Sequence, residues 1–151
     1  MNHQRRTILK STGAFGMLAA LGLITHAEAM AAEALPGFDA KSFADAVKAI
    51  GGPGAESKDI SLTAPEIAEN GAVVPLSVAS AIPDTQAIYV FVEKNPNPLS
   101  AAFMIPAGTD PSVTTRVKMG ESSRVTAVVK AGGKLYTTSR ETKVTLGGCG
   151  G

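Results

Sequence analysis

One thiol, set among glycines, carries the most chemistry in this chain. Cys149 is the single cysteine of 151 residues, and it stands in Gly147-Gly148-Cys149-Gly150-Gly151 at the C-terminus. Cysteine is ordinarily buried as a small apolar residue or paired in a disulfide. Neither role fits a site with two glycines on each side. Glycine opposes almost no φ/ψ value that a binding channel demands, and five extended residues span about 17 Å. The pentapeptide therefore reads as a flexible arm that presents one reactive atom. Thiolates, not thiols, attack and ligate, yet no Lys, Arg or His lies within five residues of Cys149, and Lys143 is the nearest basic side chain. With the terminal carboxylate opposing ionisation, the free thiol is expected to titrate at or above its ordinary range. Activation must then come from whatever pocket it enters.

The opposite end reads as an export signal. Gln4-Arg5-Arg6-Thr7-Ile8-Leu9-Lys10 places an arginine pair, Arg5 and Arg6, ahead of an apolar run from Ala14 to Ile24 that Gly16 and Gly22 interrupt. This is the pattern of a twin-arginine signal, with Gln4 and Ile8 departing from its fuller form. Ala27-Glu28-Ala29 is a small-residue cleavage site, so residues 1–29 form the expected signal and the mature chain begins near Met30 in the periplasm. The apolar run falls short of the roughly 20 residues that a membrane-crossing helix needs. No cysteine near the cleavage site supports a lipid anchor, and Cys149, third from the end, does not suit prenylation.

Removal of the signal takes away His3 and His26, the only histidines. A mature chain with one cysteine and no histidine has no Ser-His-Asp or Cys-His arrangement and no Cys/His metal cluster. Neither a catalytic residue nor a metal or other cofactor is therefore expected. The discarded part carries Arg5, Arg6 and Lys10 against Glu28, so the net charge passes from +1 to −1. Nothing in this balance suggests nucleic acid or an anionic membrane as a partner.

About 120 residues remain to position the arm, enough for one domain with one core. Phe43, Ala46, Val47 and Ile50 have the spacing of an amphipathic helix over 38–50, with Asp39 as its cap and Gly51-Gly52-Pro53-Gly54 as its stop. Beyond Gly54 the apolar residues alternate in short runs: Asp59 to Thr63, Val73 to Ala79, Ala87 to Glu93, Ala101 to Ile105, Ser112 to Met119, Arg124 to Lys130, Lys134 to Ser139 and Thr142 to Leu146. Eight runs is one more than expected. Asn95-Pro96-Asn97-Pro98 and Ala131-Gly132-Gly133-Lys134 read as hairpin connections, and Pro75 places its strand at an edge. The expected fold is mainly β: an immunoglobulin-like antiparallel β-sandwich over 30–146 with one N-terminal helix, followed by the arm at 147–151. In the run from Val113 to Met119, Thr114, Arg116 and Lys118 form a solvated face. Glu66 and Glu69, three apart among Gly and Pro, read as turn and surface residues and not as an acid/base pair.

Val144-Thr145-Leu146-Gly147-Gly148-Cys149-Gly150-Gly151 resembles the C-terminus of the SoxY family, sulfur-carrier subunits of the bacterial thiosulfate-oxidising system. The likeness extends through the arginine pair, the helix and the stretch Ala64-Pro65-Glu66-Ile67-Ala68-Glu69-Asn70-Gly71. The resemblance implies that Cys149 holds the substrate sulfur covalently, first as an S-thiosulfonate, and that the carrier catalyses nothing itself. It also implies SoxZ, a small β-sandwich subunit, as obligate heterodimer partner. Transient partners would be the haem c-type complex SoxXA, which attaches the sulfur, the manganese-dependent hydrolase SoxB, which releases sulfate, and, where present, the sulfur dehydrogenase SoxCD. Two other readings remain open. The terminal cysteine of a periplasmic interaction domain would form an intermolecular disulfide. A Gly150-Gly151 carboxylate would be activated as in ubiquitin-like carriers, against which stand export to a compartment without ATP and the number of strands.

Overall fold

The computed structural model describes residues 35–145, so the expected signal and the terminal pentapeptide lie outside the described residues. Gly37, at φ +101°, turns the chain over residues 36–39, and the Ala40 N–H closes the turn on the Gly37 carbonyl. That turn absorbs Phe38 and Asp39, so the one helix among the described residues, α1, covers only Phe43–Ala49. It is shorter than the periodicity predicts and its cap is Ser42, not Asp39. Ser42 is extended, accepts the Asp45 N–H at 3.1 Å and donates its hydroxyl to the Asp45 carboxylate at 2.7 Å. At the other end Gly51 (φ +121°) lets the chain reverse. The Gly51 N–H then reaches the Lys48 carbonyl and the Gly52 N–H the Val47 carbonyl, a Schellman closure.

Nine strands follow among the described residues: β1 (Ala55–Glu56), β2 (Ile60–Thr63), β3 (Ile67–Ala68), β4 (Val74–Ser80), β5 (Thr85–Val92), β6 (Leu99–Met104), β7 (Ser112–Val117), β8 (Ser123–Ala131) and β9 (Lys134–Val144). One sheet runs β1-β9-β8-β5-β6, with β3 also on β9, and the other β2-β4-β7. All the longer strands pair antiparallel, as expected of the sandwich; the two-residue β1 and β3 join β9 in parallel. The last two predicted runs are one strand of 11 residues, because β8 offers ladder partners without a break from Lys134 to Thr142. Its tight turn has Gly132 and Gly133 both at positive φ (+54° and +75°), which the right-handed twist of a two-residue hairpin requires.

Pro75 does not mark an edge. β4 lies between β2 and β7, with Pro75 opposite Arg116. The β2 ladder begins only at Ser77, so the stretch holding Pro75 is open on one side, and the missing N–H removes no bond from that ladder.

The described residues are layered as helix, sheet and sheet. Alternation along β5 sends Ile88, Val90 and Val92 into the sandwich, where they meet Leu62, Val74, Leu76, Val78, Val125 and Val129. Ala87, Tyr89 and Phe91 face the other way, against Ala46, Val47 and Ile50 of the helix region. β5 is thus buried on both faces. Phe43 meets Phe91 edge to face, with ring centroids 5.5 Å apart, and full burial of a side chain such as Phe91 stabilises the fold by about 1.5–3 kcal/mol. Val117 and Met119 point inward and Thr114, Arg116 and Lys118 outward, as predicted.

Candidate functional site

The sequence-predicted site residues, Gly147, Gly148, Cys149, Gly150, Gly151, Arg5 and Arg6, all lie outside the described residues. The structure instead describes the end of β9, the strand that precedes the terminal pentapeptide in the chain. β9 ends at Val144, and the last three described residues each have their backbone N–H bonded. Lys143 donates to the Glu66 carbonyl (2.9 Å), Val144 to the Ser122 Oγ (2.8 Å) and Thr145 to the Ala68 carbonyl (3.1 Å). The Thr145 hydroxyl adds a bond to the Glu69 carbonyl at 3.1 Å. Two segments therefore grip the end of β9 from opposite sides, β3 with its flanks on one and the loop before β8 on the other.

Local sequence accounts for both. Pro65 and Gly71 bound a stretch too short for a long strand, so only Ile67–Ala68 pairs with β9, at Lys143 and Val144. Asn70 bends the chain back by accepting the Ala72 N–H on its side-chain oxygen (2.9 Å), and the Gly71 carbonyl takes the Met119 N–H at 2.7 Å. Asn95 ties the adjoining loop, donating to the Lys118 carbonyl (2.7 Å) and accepting the Gly120 N–H (3.2 Å). Glu66 and Glu69 are exposed, and the bonds they supply come from backbone carbonyls. Ser122, Ala68 and Glu69 are the residues that pattern reading misses.

The arrangement fixes where the thiol can reach. Cys149 is four residues beyond Thr145, so its Cα lies within about 14 Å of the Thr145 Cα in any conformation. The same end of β9 carries a polar concavity lined by Glu93, Lys94, Ser122, Ser123, Arg124 and Glu141. A cleft of about 210 Å³ lies between Phe43 and Val47 of α1 and Thr126, Thr137 and Ser139 of the sheet. There the Thr126 hydroxyl donates to Glu93 at 3.0 Å. Among the described residues no cluster of three or more His, Cys, Asp or Glu is placed to hold a metal ion. Burial beneath the helix raises the pKa of Tyr89 above its ordinary 10.0.

Comparison with known proteins places the chain. Among curated proteins none matches it. Of solved structures, the sulfur carrier protein SoxY from Chlorobium limicola f thiosulfatophilum is 45% identical, with a TM-score of 0.57 over 62% of this chain and 86% of that one. A superoxide reductase (neelaredoxin) from Ignicoccus hospitalis has a TM-score of 0.50 over 60% of this chain and 82% of its own, and at 22% identity that likeness is one of fold. The family model of the sulfur oxidation protein SoxY matches residues 47–149, a span that takes in the end of the helix, every strand and the cysteine. The chain belongs to the SoxY family of sulfur carriers.

Proposed function

We propose that this protein is a periplasmic carrier that holds thiosulfate-derived sulfur covalently on Cys149 and hands it to successive enzymes without catalysing their steps. The observation that supports this reading most is that the match to the carrier family extends to residue 149 itself. Loading joins the Cys149 Sγ to the sulfane sulfur of thiosulfate. The thiol proton is lost, and two electrons pass to an acceptor, the haem c-type complex that the family likeness implies. Hydrolysis then adds water across the S–SO₃ bond, releasing sulfate and one proton and leaving a persulfide, Cys–S–SH, on Cys149.

No described side chain of this chain acts in those steps; its part is to keep the thiol within about 14 Å of Thr145 at the end of β9. Glycines on both sides of the sulfur let a narrow channel close around it. Ordering them costs about 1–2 kcal/mol per residue, which keeps each visit short and suits a shuttle. Export on the Arg5-Arg6 signal and pairing with SoxZ complete the reading.

The test is Cys149→Ser, with intact-mass analysis of the carrier from cells given thiosulfate. Wild-type protein should carry sulfur adducts on Cys149, and the variant should lose thiosulfate turnover while still being secreted and still holding its partner. Disulfide-linked dimers without any sulfur adduct would replace the carrier reading with that of an interaction domain.

A further inference from the structure

Four large apolar side chains stand exposed among the described residues: Phe38, Ile67, Val73 and Met104. Two of them fall in the short segment that grips the end of β9. Ile67 is 61% exposed and Val73 53%, although Ala68, next to Ile67, is buried in the sandwich core and Val74, next to Val73, is fully buried. The backbone of this segment is occupied in holding Lys143, Thr145 and Met119. Its two outward apolar side chains serve nothing in the fold that the described residues show.

We propose that Ile67 and Val73 form an apolar docking rim for the enzymes that process the sulfur on Cys149, the rim meeting the mouth of each active-site cleft. This rests on the carrier reading above. Chain length supplies the argument. The cysteine's Cα lies within about 14 Å of Thr145, and Thr145 is hydrogen-bonded to Ala68, the neighbour of Ile67. An enzyme that encloses the terminal pentapeptide, itself about 17 Å long when extended, brings the edge of its cleft down to the base of β9. The surface it meets there includes Ile67, which pairs with Lys143 at the end of β9, and the same segment continues through the exposed Glu69 to the exposed Val73. The matching patch on each enzyme is accordingly apolar, with cationic or amide side chains facing the Glu69 carboxylate. Two aliphatic side chains make a small contact, of the kind found in transient encounters, which fits a carrier that has to leave after every step.

The experiment uses the full carrier with its partner subunit, loaded with the S-thiosulfonate on Cys149, and a sulfate-releasing hydrolase. Ile67→Glu/Val73→Glu is compared with wild type and with a synthetic peptide of residues 145–151 carrying the same adduct. Both positions are more than half exposed, and an unchanged melting temperature confirms that the variant folds. The expected result is a KM raised about tenfold for the variant, towards that of the peptide, with kcat little changed. A loaded carrier whose KM ignores the substitutions overturns the rim and leaves the carrier reading standing. Loss of the partner subunit from the variant also overturns it, by assigning the patch to the subunit interface. A wild-type Cys149 that takes up no sulfur removes the carrier reading, and the rim with it.

Discussion

The backbone N–H of Val144 is held by the hydroxyl of Ser122 at 2.8 Å, across 22 residues of chain. This bond closes the side of β9 opposite to the one that β3 covers, at the last strand residue before the chain leaves for the cysteine. Ser122→Ala removes the acceptor and leaves the N–H to water. The expected cost is about 1 kcal/mol, read as a lower denaturation midpoint. Amide exchange should accelerate at Val144 and Thr145 while the β5 and β8 amides stay protected. Uniform acceleration across the sheet would show that Ser122 matters to the whole fold and not to this end of it.

Gly54 is fixed by proximity. A Cβ there would stand 2.8 Å from the backbone carbonyl carbon of Tyr136 and 2.9 Å from its nitrogen, both main-chain atoms that cannot swing aside. β1 begins one residue later and pairs with Tyr136 itself. Gly54→Ala should therefore push β1 off β9 and destabilise by about 1–3 kcal/mol. Gly108→Ala meets no neighbour in space but does meet φ of +80°, so about 1 kcal/mol or less is expected from backbone strain alone. Equal losses in the two variants, measured by chemical denaturation, would contradict the contact.

Thr142 carries a fully buried hydroxyl with no hydrogen-bond partner among the described residues. An unsatisfied polar atom of this kind costs about 1–3 kcal/mol, and valine has nearly the same shape. Thr142→Val is expected to be neutral or to raise the melting temperature. A clear drop would mean that the hydroxyl has a partner that this geometry does not show.

Tyr89 gives the stability a pH dependence at the alkaline end. Burial raises its pKa in the fold above the ordinary 10.0, so above that pH the unfolded chain has lost the phenol proton while the folded chain still holds it. Fewer protons bound in the unfolded state make stability fall as pH rises. The contribution is intact below about pH 10 and is lost between there and the raised value. Denaturation midpoints taken from pH 9 upward should decline more steeply for wild type than for Tyr89→Phe. Parallel curves would assign the alkaline loss to other groups.

The β-sandwich was legible in the sequence because alternation reports burial directly. Val113, Thr115, Val117 and Met119 declare their face without reference to anything distant. The helix was legible in type and not in extent, since apolar spacing cannot see that Gly37 adopts a positive φ and spends Phe38 and Asp39 in a turn. Pro75 misled because the rule concerns which side of a strand is paired at one residue, and β2 happens to stop two residues short of it. The brace at 64–73 was invisible for a different reason. Its bonds run from main-chain carbonyls of Glu66, Ala68 and Glu69, and no side-chain pattern encodes those. Cys149 stands out in the sequence as the one cysteine, set in Gly147-Gly148-Cys149-Gly150-Gly151, whereas the surface at the end of β9 needed coordinates.

The length of β9 has a practical consequence. Its 11 residues place the Gly132-Gly133 turn about 34 Å from Val144 along a straight strand. A fluorophore attached at that turn would sit at the opposite end of β9 from the segment that leads to Cys149. Energy transfer between such a dye and a labelled enzyme would then report arrival and departure in real time, with the reporter outside the event it records.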